Sequence, residues 1–279
     1  MEKGERVQFI PMINLESSRT WFWKNRLGFD FSYVDTVMVR AVELKKSKPL
    51  YLRVKNAGGF NNFLDFDGKV MMHGVMDDDI LDYYNVEEHI DFIEVGKPSH
   101  YTTIDGYCYF KDSLRINYNQ IHKILEQAKQ IKKANLNGEA IGLAIGANVK
   151  QVEYCANRLR DLGYEHLAFP CGDYIRKFLK DDFNDIKNFA SILKRFGKSV
   201  TLIGIGSPSK MLELSFVDLL SSLSWKVVPQ NEGMYYTKSG KVPFGKTVSV
   251  DRAMLLSLKF IMDTIKENKF QLKLTEVLN

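Results

Sequence analysis

A chain of 279 residues, 45% of them hydrophobic, can bury a sizeable core and has the ordinary length of one (β/α)8 barrel, which needs ~250 residues. It holds no run of ~18 apolar residues, so a transmembrane helix is not expected. Its net charge of +5 is unevenly spread. Residues 61–105 carry eleven acidic side chains against Lys69 and Lys97, a local −9, which leaves +14 on the rest. A basic surface of that kind suits a polyanion, through release of phosphate counterions, and equally suits a set of solvated helix faces.

The opening Met1–Arg6 carries mixed charge without a following apolar segment, so no secretory signal is expected. Cys108, Cys155 and Cys171 are odd in number and far apart. They suggest neither a disulfide framework nor a zinc site, and a reducing cytoplasm is the expected setting.

In the first half, Val37–Leu44, Leu50–Val54, Lys69–His73, Ile90–Val95 and Tyr101–Ile104 read as strands, and Asn119–Ala134 as an amphipathic helix. The second half alternates. Glu139–Gly146 predicts a buried strand, and Asn148–Leu162 a helix stopped by Gly163. Tyr164–Pro170 is the next strand, and Asp173 is placed to cap a helix with Ile175, Phe178 and Leu179 on one face. A helix at Asp185–Phe196, a strand at Ser199–Gly204, a short helix opened by Ser207-Pro208 and a helix at Arg252–Glu267 complete the chain. Eight or nine candidate strands alternating with helices predict parallel pairing and right-handed crossovers. The expected architecture is a single-domain α/β TIM barrel over residues 1–279, with a doubly wound open sheet as the alternative.

In such a barrel the C-terminal strand ends converge on one mouth. His73-Gly74, Asp105-Gly106, Gly146-Ala147-Asn148, Cys171-Gly172-Asp173, Gly204-Ile205-Gly206-Ser207 and the region of Asp218 occupy such positions. Glycines there let a ligand approach the backbone, or simply make tight turns. Gly204-Ile205-Gly206 lacks the third glycine of a dinucleotide fingerprint, since Ser209 stands in its place. His73, His89, His100, His122 and His166 show no metal spacing. Asp77-Asp78-Asp79 reads most economically as the acidic first turn of a helix. Trp225-Lys226, Tyr235-Tyr236-Thr237-Lys238 and Lys241 interleave rings with lysines. That pattern serves base stacking with phosphate contact, or a hairpin turning at Ser239-Gly240.

The run Gly204-Ile205-Gly206-Ser207-Pro208, then Val217-Asp218, then Pro229, Gly233, Tyr236-Thr237 and Gly240, resembles the queuine and archaeosine tRNA-guanine transglycosylases and their DNA-acting relatives. Gly142–Gly146, Tyr164–Gly172 and Thr103-Ile104-Asp105 are similar to further strands of that family, so the likeness covers about half the chain. It implies a barrel that breaks an N-glycosidic bond in tRNA or DNA and inserts another base, such as a 7-deazaguanine. Such a pentosyltransferase needs one carboxylate as nucleophile and another for proton transfer.

The resemblance implies Asp218 as the catalytic carboxylate, because Ser221 falls where the family has its nucleophile. The second catalytic group falls at Asp65, at His73, or at Asn56 of Asn56-Ala57-Gly58-Gly59-Phe60. Asp105, Gly146, Cys171, Gly172, Gly204 and Gly206 are the implied substrate-binding residues, with Lys226, Lys238 and Lys241 toward the nucleic acid. The family's base-reading glutamine falls at Ile145, and its cysteine-and-histidine zinc site has no counterpart beyond Gly240. No cofactor or metal is expected. Three readings follow: a divergent base-exchange enzyme, an inactive partner subunit of an active paralogue, and an unrelated barrel enzyme acting on a small phosphorylated metabolite; the expected assembly is a homodimer or a heterodimer with a paralogue.

Overall fold

The computed structural model describes residues 7–172 and 183–277, with side chains to Glu267. Eight strands form one parallel sheet: β1 Gln8–Pro11, β2 Thr36–Arg40, β3 Lys69–Gly74, β4 His100–Ile104, β5 Glu139–Leu143, β6 His166–Pro170, β7 Ser199–Ile203 and β8 Leu219–Ser222. Their order around the sheet is β1-β8-β7-β6-β5-β4-β3-β2, every pair parallel. Helices surround the sheet, giving a nearly closed (β/α)8 barrel. The three strands expected at Glu139, Tyr164 and Ser199 are neighbours in that order. Among the described residues no helix is long and apolar enough to cross a membrane.

Two segments expected as strands, and the second half of a third, are helical. The strand beginning at Val37 stops at Arg40, and Ala41–Lys46 turns into helix α1. Leu50–Val54 lies inside helix α2, Lys48–Ala57. There Ser47 accepts from Leu50 N, Pro49 sits in the first turn, and Gly58 ends the helix at φ +85°. Ile90–Val95 lies inside α5, Val86–Gly96, which follows the short α3, Phe60–Leu64, and α4, Asp78–Leu81. Asn85 caps α5 by accepting from Glu88 N, Glu87 and Glu88 favour its positive end, and Val86, His89, Phe92 and Ile93 are its buried face. Short apolar runs fit either structure, and here the caps decide.

Five further helices follow expectation: α6 Leu114–Lys133, α7 Val149–Asp161 capped by Asn148, α8 Phe183–Phe196, α9 Pro208–Glu213 and, after the unexpected short α10 Ser224–Val227, α11 Val250–Val277. The expected cap Asp173 and the face Ile175, Phe178, Leu179 lie outside the described residues. Strands β9 Met234–Thr237 and β10 Gly240–Pro243 make the expected hairpin. One apolar layer fills the space between barrel and helices. A second, smaller one fills the barrel with Ile10, Met12, Met38, Met71, Ile141, Leu143, Ala168 and Ile203.

The barrel closes between β1 and β2 by a single bridge, Met12 to Met38, with Ile13 N donating to Met38 O at 2.9 Å. Side chains complete the seam around Asn14. Its N–H donates to Thr20 Oγ1 at 3.0 Å, and its carbonyl accepts from Trp21 Nε1 at 3.0 Å. Its Nδ2 donates to Glu43 of α1 at 3.0 Å, and its Oδ1 accepts from Lys226 of α10. Glu43 also accepts from Leu15 N at 2.7 Å, and Trp225 Nε1 reaches Met12 O at 3.1 Å. Burial pushes the Glu43 carboxyl above its ordinary range, against these hydrogen bonds and the Arg40 charge.

Removing this side chain unlatches three chain segments and strips Glu43 and Lys226 of a partner. Asn14→Ala is expected to cost about 2–3 kcal/mol, since hydrogen bonds to charged groups contribute about 1.5–3. The measurement is the urea midpoint at constant slope. A midpoint equal to wild type removes Asn14 from the closure.

Candidate functional site

The C-terminal ends of the strands open into a cavity of about 720 Å3, within the range of small-molecule sites. Each strand end contributes. Arg40 closes β2, and His73 lies near the end of β3, with Asp77 and Asp78 just beyond that strand. Asp105, Gly106, Tyr107 and Tyr109 follow β4. Ile145 and Gly146 follow β5, Phe169, Pro170 and Gly172 end β6, and Gly204, Gly206 and Ser207 follow β7. Lys210, Glu232, Tyr236 and Lys241 complete the rim.

The glycines are there because backbones cross closely. Gly204 has φ +95°, and a Cβ on it would stand 2.7 Å from Gly172 N. Only glycine lets the β6 and β7 loops meet in that way.

The β4 wall is acidic and aromatic. Asp105 is 9% exposed, and its Oδ1 accepts from Gly106 N at 2.8 Å. Tyr107 and Tyr109 stack, with centroids 5.3 Å apart at 19°. Tyr109 donates to Asp78 Oδ2 at 2.9 Å, and Tyr107 donates to Asp82. The Asp82 hydrogen bond, aided by burial, holds the Tyr107 phenol up at about 12. Burial and Asp78 also raise Tyr109. Both rings are donors that tie the β4 loop to the residues after β3.

The neighbouring β2–β3 edge carries the cations. Arg40 Nη2 donates to Asp77 Oδ1 at 3.3 Å, and Lys46 pairs with the same carboxylate. The Asp77–Asp79 run is therefore more than the first turn of a helix. Helix α4 has only four residues, and the Asp77 carboxylate holds two cations.

His73 is 2% exposed. Its Nδ1 accepts from Val75 N at 3.3 Å, so the neutral ring carries its proton on Nε2. Burial, reinforced by the Arg40 and His89 charges, holds its pKa at about 3. Behind it, fully buried His89 contacts Tyr84 OH through Nδ1 and Thr102 O through Nε2, each at 2.8 Å. Burial holds His89 at about 4, against the Thr102 carbonyl.

The sequence-derived site residues separate into groups. Asp105, Gly146, Gly172, Gly204, Gly206 and His73 come together in the cavity. Asp218 does not, and its expected place there is corrected. It precedes β8, at the opposite end of the barrel, where its carboxylate accepts from Val200 N at 2.6 Å and from Lys194 Nζ at 2.9 Å. Its side chain is a foot clamp between β8, β7 and α8. Ser221 is fully buried in β8, with its hydroxyl unpartnered among the described residues.

Of the three alternatives for the second catalytic group, Asn56 is exposed on α2. Asp65 is exposed after α3, in the left-handed region at φ 52°, and pairs with Lys24 at 3.1 Å. Only His73 reaches the cavity. Cys171 lies in the outer apolar layer with Sγ on Phe169 O at 3.7 Å. Burial raises its thiol far above the ordinary range, which leaves it inert. Lys226 is turned to Asn14 rather than to solvent, and Lys241 is paired with Glu232 at 2.6 Å. Lys238 is exposed at the hairpin tip.

Arg40, Asp77, Asp78, Tyr107 and Tyr109 escaped the sequence reading as site residues. Two signals were present. A charge ends the apolar TVMVR strand, and two tyrosines directly follow Asp105-Gly106.

Asp218→Asn is expected to lower stability by about 1–3 kcal/mol, through weakened hydrogen bonds to a charged group, and to leave ligand affinity unchanged. Thermal unfolding and calorimetric titration read the two effects, and a lost affinity with normal stability would return Asp218 to the site. The two histidines set an acid limit. Their folded pKa values lie below the unfolded value of about 6.5, so only the unfolded chain takes up their protons between about pH 6.5 and 4. Stability falls as pH falls through that window, by up to about 2.7 kcal/mol per pH unit for the pair. His73→Phe is expected to remove about half of that slope in urea titrations at stepped pH. An unchanged slope would contradict a neutral buried His73.

No family model and no curated protein sequence matches this chain.

Proposed function

We propose that this chain is a transglycosylase-like barrel that binds a purine-type base at its C-terminal mouth and acts as the base-binding partner rather than as the base-exchanging subunit. One observation carries the reading: Asp105 and the glycine edges Gly146, Gly172, Gly204 and Gly206 line one cavity with Tyr107, Tyr109 and Phe169. A carboxylate accepts from a guanine-type pair of N–H donors, backbone edges at glycines allow a flat ring close approach, and aromatic faces stack on it.

Base exchange through a covalent sugar intermediate needs an anion facing the developing positive charge. The end of β8 offers Ser221 and Ser222 instead, and Asp218 is engaged at the foot. A neutral hydroxyl supplies no such field. Contact with a tRNA or DNA strand belongs to this reading at the hairpin rim, with Lys238 toward the phosphates.

Equilibrium dialysis with labelled guanine and 7-deazaguanine tests the base site. Binding in the micromolar range, about −8 kcal/mol, is expected, weakened at least tenfold in Asp105→Asn. No binding by the wild type, or equal binding by the variant, defeats the base reading. Incorporation of the labelled base into tRNA or DNA by this chain alone would show it to be the exchanging subunit.

A further inference from the structure

We propose that Arg40 and His73 form an oxyanion subsite at the β2–β3 corner of the mouth, which takes a phosphate or carboxylate group of the bound ligand. The strands place the pair. Met38 and Met71 are register partners and point into the barrel. Alternation turns the residues two further on, Arg40 and His73, to the same inner face, again as register partners. Both line the cavity.

His73 supplies a directed donor. With Nδ1 occupied by Val75 N, the proton lies on Nε2, and that N–H has no acceptor among the described residues. A buried donor left in this state is destabilising. A ligand oxygen arriving from the cavity removes that cost. The ring stays neutral through physiological pH, so it directs the anion while another group neutralises it.

Arg40 supplies the charge. Its side chain is 27% exposed, and Asp77 is its one protein acceptor among the described residues. A guanidinium presents five N–H donors in a planar fork, matched to two oxygens of a carboxylate or phosphate. Asp77 does not cancel it, because Lys46 shares that carboxylate. Lys226 lies on the same side, bound to Asn14; burial lowers its pKa, with the Glu43 charge opposing and the Arg40 charge adding to that shift. At this corner Arg40, Lys46 and Lys226 outnumber Asp77 and Glu43, and the β4 edge beside it carries Asp105. A ligand with a donor-rich ring at one end and an oxyanion at the other, as in a nucleoside monophosphate, meets both the Asp105 edge and this corner.

The subsite shares its cavity with the proposed base site and is tested apart from it. Calorimetric titration with inorganic phosphate and, separately, with acetate distinguishes the two oxyanions. Saturable binding of at least one is expected, weakened tenfold or more in both Arg40→Met and His73→Phe. In long-range proton–nitrogen spectra of the wild type, His73 is expected as the Nε2–H tautomer, with its Nε2 signal moving as the anion is added. This readout also decides the matter if a variant does not fold. Binding of neither anion, binding that both variants retain, or a stationary Nε2 signal overturns the proposal. Guanosine and guanosine monophosphate then separate the two readings. Loss of guanosine binding with phosphate binding intact defeats the base site alone, and the reverse defeats the oxyanion subsite alone.

Discussion

The mouth of this barrel depends on the seam between β1 and β2, with Asn14 at its centre. Seven of the eight strand junctions are held by backbone ladders, and the eighth, between β1 and β2, rests on one bridge. At that gap a single amide side chain is shared between Glu43, which follows β2, and Lys226, which follows β8. Its own backbone is spent on Thr20 and Trp21. Asn14 is half-buried, and its side chain ties the helices that follow β2 and β8 to the end of β1. Arg40 and Met12 lie beside this latch and line the cavity.

The electrostatic zoning of the mouth follows from where the strands end. Between β2 and β3 the terminal residues are Arg40 and His73, and beyond β4 they are Asp105 and two tyrosines already donating to aspartates. Charges of opposite sign set side by side at one rim orient a polar ligand more strongly than they hold it. The aspartates also explain why residues 61–105 carry the local −9. Part of that excess, at Asp77, Asp78 and Asp105, lines the cavity.

The alternating second half was legible in the sequence because its strands are short apolar runs separated by capped helices with clear stops, such as Asn148 to Gly163. The first half was harder. Leu50–Val54 and Ile90–Val95 have the composition of strands, and the capping by Ser47 and Asn85 was the overlooked information. The glycine series and Asp105 were readable because a parallel barrel sends every strand end to one mouth. Asp218 misled for a related reason. A residue near a strand is assigned to the wrong end when the strand begins one position later, and β8 begins at Leu219. Arg40 could not be identified without knowing that β2 stops there, since pairing across a sheet is not written in either strand alone.

A ring of strands joined by hydrogen bonds everywhere has a fixed girth. This one is a ribbon fastened by a buckle. Above Met12 the spacing of β1 and β2 is held by Asn14, Glu43 and Lys226 rather than by a ladder. Because Arg40 stands at that fastening, the width of the mouth and the position of its strongest cation are set by the same few side chains.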